Sequence, residues 1–295
     1  MPALSAARED SRLRKRKSLD RAIMCLMSGG DPRNKVVPEA GSAADERTDI
    51  LSRTLRIIQR RKGHRAASDD IFLAWAGVRA KPDARRILDL GSGKGTVALL
   101  LLRCLTEAKV VGVEALPAHH DLALRNAALN GLSERYDPRL GDFRNPEPLA
   151  GEAPFDLVCG SPPYVAVGAG VLPKDPGRAA GRFELRGGVE AYARAAARHL
   201  ARNGRLVLVM DGNGRARAEA AVAVEGLSVG RLVAVRPRPG LAPTYWVVEA
   251  ALDAPTEVAE EELCMRLVTG TQWSPEYAAI RAALDLPERT DFGGR

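Results

Sequence analysis

Residues 86–105 read RILDLGSGKGTVALLLLRCL, and the order of residue types within them decides the fold. RILDL (86–90) is an apolar run of strand length, closed by glycines at 91, 93 and 95. TVALLLLRCL (96–105) is apolar over a helical length and reads as a buried helix. Strand, glycine turn and helix in that order open a crossover unit, and the pattern repeats downstream. KVVGVEA (109–115) is β-branched. Pro117 starts a helical stretch that Gly131 stops. FDLVCGS (155–161) is the next strand, VEAYARAAARHLARNG (189–204) a helix ending in Asn-Gly, and RLVLVMD (205–211) another strand. Continuous Val/Ile/Leu runs that alternate with helices predict an α/β protein whose parallel sheet is covered by helices on both faces. RLVAVRPRPG (231–240) and TYWVVEAAL (244–252) are joined by a Pro/Gly turn and predict an antiparallel hairpin. Upstream, Ile50, Leu51, Leu55, Ile57 and Ile58 suggest a helix beginning near Asp49. There is no internal repeat.

Length and composition bound the rest. The chain has 295 residues, 45% hydrophobic and 27% charged, enough for one large domain or two small ones. Its longest apolar run, Val97 to Leu102, is far short of the ~18–20 residues that span a bilayer. Cys25, Cys104, Cys159 and Cys264 form no CxxC pair, so neither a disulfide framework nor a metal site is expected. Residues 1–65 hold 16 Lys/Arg against 8 Asp/Glu, whereas the remaining 230 carry a net charge of −1. We expect a basic, unstructured arm at 1–46 and a single domain at 47–295. Such an arm suits an anionic partner or is a solvated tail. No apolar h-region follows the basic residues, so the start is not expected to act as a secretory signal and a cytoplasmic location is expected, with organelle import by the Arg-rich start as the alternative.

The chemistry lies where strands end. Asp89 is followed by glycines at alternate positions, which allow a tight turn and let a ligand approach the backbone. The loop is neither GxGxxG nor GxxxxGK[ST]: Lys94 falls inside it and the third glycine comes one residue early. Glu114 closes the second strand, where a carboxylate can accept from ribose hydroxyls. Asp142 closes the third, followed by Phe143, a pair suited to an adenine amine and ring face. The fourth strand runs into Ser161-Pro162-Pro163-Tyr164. Two prolines cannot continue a central strand, so the chain turns rigidly at the carboxyl edge of the sheet. There the Ser161 hydroxyl and the Pro162 carbonyl can both accept from one planar NH₂ group, and Tyr164 offers a stacking face.

DLGSGKG, Glu114, Asp142 and SPPY, taken in order, resemble the class I S-adenosylmethionine-dependent methyltransferases over about residues 86–211. GHRAASDDIFLAWAG (63–77) and LVTGTQWSPEYAAIRAALDLP (267–287) extend the likeness to the bacterial tRNA(Val) adenine-N6-methyltransferase family. That resemblance implies a Rossmann-like, seven-stranded, mostly parallel sheet whose last strand is inserted antiparallel. It implies S-adenosylmethionine as cofactor, with Asp89, Gly91, Gly93 and Gly95 around its methionine moiety, Glu114 on the ribose and Asp142 at the adenine. In one place the sequence departs from the pattern. Adenine-N6 families carry Asn or Asp at the position of Ser161, and Ser there resembles N4-cytosine DNA methyltransferases. The release factor glutamine N5-methyltransferases share the PPY turn, and an inactive cofactor- or nucleic-acid-binding module is a further alternative.

An exocyclic amine is a weak nucleophile, because its lone pair is delocalised into the ring. Acceptors at Ser161 and Pro162 would stabilise the positive charge that develops on nitrogen, and in-line positioning would supply most of the acceleration. No histidine or cysteine nucleophile is needed, so His64, His119, His120 and His199 read as bystanders. Beyond Tyr164, Lys174, Arg178, Arg182 and Arg186 recur every four residues. If helical, they form one basic face beside the target pocket, suited to a phosphate backbone, or else a solvated lid. RNA is the expected substrate, since unpaired bases are accessible without melting a duplex. No metal, membrane or protein partner is expected.

Overall fold

The computed structural model describes residues 45–287 apart from 62, 64 and 256, so His64, Cys25 and almost all of the 1–46 arm lie outside the described residues. An eight-stranded sheet carries the fold. Its strands are β3 (Arg86–Leu90), β4 (Lys109–Glu114), β5 (Tyr136–Leu140), β6 (Phe155–Gly160), β7 (Leu200–Asp211), β8 (Ser228–Arg236), β9 (Tyr245–Ala251) and β10 (Ala259–Cys264). They lie in the order β10-β8-β9-β7-β6-β3-β4-β5. All neighbours are parallel except β9, which runs antiparallel to both β7 and β8. The terminal hairpin is thus present as expected. The expected seven strands become eight, because β10 pairs in parallel with the outer edge of β8.

The helices are α1 (Ser68–Ala80), α2 (Thr96–Cys104), α3 (Pro117–Leu129), α4 (Pro176–Arg182), α5 (Val189–His199), α6 (Arg215–Val224) and α7 (Pro275–Ala283). Thr96 to Leu102 are buried without a break, which explains the all-apolar sequence of α2: it has no solvent face to keep polar. α1 packs on α2. A Cβ at Gly77 would lie 3.1 Å from a Leu101 methyl and 3.2 Å from a Leu157 methyl, so the glycine sets how near α1 approaches α2 and the sheet. On the opposite face α5 and α6 cover β6, β7 and β9.

Three local expectations are corrected. The stretch from Asp49 is not helical: β1 (Glu46–Ile50) and β2 (Arg56–Arg60) form an antiparallel hairpin. Its apolar side chains still go inside, with Leu51, Leu55, Ile57 and Ile58 buried. What selects strand over helix lies elsewhere in the chain. Asn126 on α3 accepts from Ile58 N at 2.6 Å and donates to Ile58 O at 3.1 Å; Asn130, one turn on, does the same for Arg56 at 2.9 and 2.8 Å. Two side-chain amides satisfy β2 as a neighbouring strand would. Next, the helix expected to run to Gly204 stops at His199, and Leu200 already begins β7. Finally, the basic repeat of residues 174–186 is helical only over α4, so Lys174 precedes it and Arg186 follows it. All four basic residues are exposed.

Candidate active site

Strand order reverses between β3 and β6: β4 and β5 follow on one side of β3, and β7 on the far side of β6. At such a switch point the loops leaving the two strands diverge and open a crevice at their carboxyl ends. Leu90 is in register with Gly160, and Leu90 also with Val113. The glycine loop, Glu114 and the Ser-Pro-Pro-Tyr turn therefore emerge side by side, and all of them line one cleft.

Gly91, Gly93 and Gly95 have φ values of +66°, +56° and +87°, a region where a β-carbon is strained. A Cβ at Gly91 would come within 2.5 Å of Tyr192 Oη, and one at Gly95 within 2.7 Å of the Tyr136 ring. Asp89 is buried behind this loop. The Cys159 thiol reaches its Oδ1 at 3.8 Å, and its Oδ2 has no partner among the described residues. Burial, with Asp70 and Glu114 adding like charge, pushes the Asp89 carboxyl up to about 8. Lys94 is buried in the same cleft. Desolvation lowers its ammonium, and Asp70 opposes that shift; the Asp70 carboxyl is raised by burial and held down by Lys94.

Glu114 accepts from Gly93 N at 2.9 Å and from Leu116 N at 2.7 Å, which ties the end of β4 to the glycine loop. Each of its oxygens retains a second lone pair. Burial raises its carboxyl, and the two amides oppose the rise. Asp142 differs from its expected setting. Strand β5 ends at Leu140, and the Asp142 carboxylate is gripped by Arg144, with Nη2 to Oδ2 at 2.5 Å, which holds it below the usual carboxylate range. Phe143 meets Tyr192 edge-on at 4.7 Å. In the turn after β6, Ser161 Oγ donates to Asp69 Oδ2 at 3.3 Å and lies 3.0 Å from Tyr164 Oη. Tyr164 Oη also reaches Val209 O at 3.3 Å.

Residues 87–167 match the family model of a methyltransferase domain. The tRNA1(Val) (adenine(37)-N6)-methyltransferase of Tolumonas auensis is 31% identical over 225 residues, which is 76% of this chain and 91% of that protein. The chain belongs to this family of class I S-adenosylmethionine-dependent methyltransferases. The release factor glutamine methyltransferase of Geobacter sulfurreducens is 41% identical over only 99 residues, 33% of this methyltransferase and 32% of that one. A crystal structure from Agrobacterium tumefaciens, described as a predicted O-methyltransferase, shares the fold, with a TM-score of 0.57 at 21% identity over 75% of this chain and 99% of that chain.

The cofactor is S-adenosylmethionine, and the cleft of this methyltransferase fits it. A buried carboxylate oxygen without a partner, Asp89 Oδ2, stands behind a loop whose glycines leave the backbone bare, which suits a cationic amino-acid head group. Four cleft residues escaped the sequence reading. Asp69 and Asp70 come from α1, ahead of β3; Lys94 looked like a loop residue; Tyr192 lay in a stretch read only as a helix. The Ser-Asp-Asp start of α1 offered a signal, read there only as part of a family likeness. His119 lines the cleft, whereas His120 Nε2 lies 3.2 Å from Pro138 O, away from it. Arg186 stands at the cleft mouth and acts electrostatically on Glu114 and Asp142. Lys174, Arg178 and Arg182 are exposed and do not line the cleft. Among the described residues no group of three or more His, Cys, Asp or Glu is placed to hold a metal, and no helix is long and apolar enough to cross a membrane.

Proposed function

We propose that this methyltransferase methylates an exocyclic amine of a nucleic-acid base, adenine N6 in tRNA or another RNA, in the cytoplasm. The observation that carries this reading is the Ser161-Pro162-Pro163-Tyr164 turn, which opens onto the same cleft as the glycine loop. Two acceptors, Ser161 Oγ and the Pro162 carbonyl, face a planar NH₂ group there; Pro163 keeps the turn rigid and Tyr164 offers its ring to the base. Asp89, Gly91, Gly93 and Gly95 hold the methionine moiety, and Glu114 takes the ribose. Phe143 covers the adenine, and Asp142 reaches its amine once Arg144 yields. S-adenosylmethionine supplies an already activated methyl group, so the protein's task is alignment and stabilisation of the positive charge on nitrogen. Lys174, Arg178, Arg182 and Arg186 present exposed positive charge to a phosphate backbone. The tRNA methyltransferase of Tolumonas auensis, which this chain matches over 91% of that protein's length, supports RNA. The glutamine methyltransferase likeness covers a third of the chain and leaves the basic rim without a role.

The test is incubation of purified protein with radiolabelled S-adenosylmethionine and separate pools of cellular tRNA, rRNA, genomic DNA and protein, followed by digestion and chromatography. Label in N6-methyladenosine from RNA is the expected result. N4-methylcytosine or methylglutamine would keep the reaction and replace the substrate.

A further inference from the structure

Ser161 is shorter than the amide or acid that adenine-N6 families use, but a carboxylate reaches it from another element. Asp69, in the first turn of α1, accepts from Ser161 Oγ at 3.3 Å, and Asp69, Ser161 and Tyr164 all line the cleft. Capping of α1 falls to its neighbour: Ala67 N donates to Asp70 Oδ2 at 3.0 Å.

A hydroxyl has a single proton. The Ser161 proton has two acceptors within reach, the Asp69 carboxylate and Tyr164 Oη, and the ionised group is the stronger. The Tyr164 proton then goes to Ser161 Oγ or to Val209 O. With its proton committed to Asp69, Ser161 turns lone-pair density towards the cleft and is fixed as an acceptor.

We infer that Asp69 is the positioning residue that makes Ser161 the acceptor for the target amine and receives, through Ser161, the proton that amine sheds. This rests on the reading of the substrate as an exocyclic amine. The cofactor supplies the methyl group, and its sulfur keeps the electron pair of the broken carbon–sulfur bond. The nitrogen lone pair becomes the new nitrogen–carbon bond and leaves the nitrogen positive. One of its protons passes to Ser161 Oγ as the Ser161 proton passes to Asp69 Oδ2. The product is a neutral secondary amine, and Asp69 returns its proton to water. In this arrangement a serine and a remote carboxylate together perform what a single Asn or Asp side chain does elsewhere.

The experiment uses the full chain, labelled S-adenosylmethionine and the RNA pool that wild type methylates. The wild-type digest identifies the acceptor by itself; an acceptor that is not an amine overturns this inference together with the proposed function, and an amine acceptor leaves the Asp69 variants to decide. Asp69→Asn should lower kcat about 100-fold, with KM for the RNA and the calorimetric Kd for the cofactor each within about twofold of wild type. Adding Ser161→Asn to that variant should recover at least about tenfold, because the longer amide oxygen accepts directly. Ser161→Ala should resemble Asp69→Asn, and the two together should be no worse than either alone. A kcat for Asp69→Asn within about threefold of wild type overturns the inference. So does a cofactor Kd that weakens in step with kcat, or a failure of Ser161→Asn to rescue. Should Asp69→Asn not fold, Ser161→Ala decides: wild-type kcat in that variant overturns the relay.

Discussion

Asp89 shows how much the setting of one carboxylate decides. An acid held at about 8 by burial, against ~3.9 in an unfolded chain, keeps its proton in the folded cofactor-free protein after the unfolded chain has lost it. Between those values the native state binds more protons at this group, so the Asp89 contribution to stability is greatest below about pH 4 and declines as pH rises, by up to about 1.4 kcal/mol per pH unit, levelling off above about 8. Asp89→Asn mimics the protonated acid and should flatten that part of the urea-denaturation profile, while calorimetry should detect no cofactor binding. An unchanged slope would remove Asp89 as its source. Gly95 is constrained by space as well as by φ. Gly95→Ala places a methyl 2.7 Å from the Tyr136 ring at a φ of +87° and should cost about 2–4 kcal/mol, read from the denaturation midpoint. These glycines were legible in the sequence because their spacing is local. Asp69 was not, because its partner Ser161 stands 92 positions away.

At the scale of elements, Asn126 does more than its place on α3 suggests. Its Nδ2 donates to Ile58 O at 3.1 Å and to Lys94 O at 2.9 Å, while its Oδ1 accepts from Ile58 N. One buried amide thus joins the β1–β2 hairpin to the glycine loop. Asn126→Ala leaves three buried backbone groups unpaired and should destabilise the protein by about 2–4 kcal/mol. Hydrogen exchange of the Ile58 amide should accelerate beyond what the global loss accounts for; an equal change at Ile58 and in the central strands would mean that the hairpin is not a separately opening unit. The hairpin also shows why residues 49–58 misread as helix. Their apolar spacing fits either period, and the arbiter is a pair of asparagines about 70 residues downstream. Strands β3, β4 and β6 were legible because each is a mainly apolar run of strand length between turn signals. The edge strand β10, AEEELC, was not: three acids among six residues look like solvated chain, and only pairing with β8 makes them a strand.

For the whole molecule, charge and topology divide the work. Lys174, Arg178 and Arg182 are open to solvent, while Asp89 and Glu114 of the cleft are buried. Replacing these three basic residues with alanine should weaken RNA binding and reduce the slope of log K against log salt by about 2, at ~0.7 per phosphate contact on a single strand. Cofactor affinity should be unchanged, and an unaltered salt slope would show that the rim does not touch phosphate. Deletion of residues 1–46 applies the same test to the basic arm.

The sequence by itself determined the doubly covered parallel sheet, the terminal hairpin, the glycine loop and the acids at or just beyond strand ends, since each is written in contiguous residues whose period or turn chemistry is local. Tertiary structure alone decided which oxygens of those acids stay open. Arg144 takes the Asp142 carboxylate, Gly93 and Leu116 share Glu114, Asp89 Oδ2 is left bare, and Asp69 accepts from the Ser161 hydroxyl. The physical reason is that a hydrogen bond is set by distance and direction between atoms. Chain order fixes those within a turn or a helix but leaves them open between a strand end and the first turn of a helix many residues away.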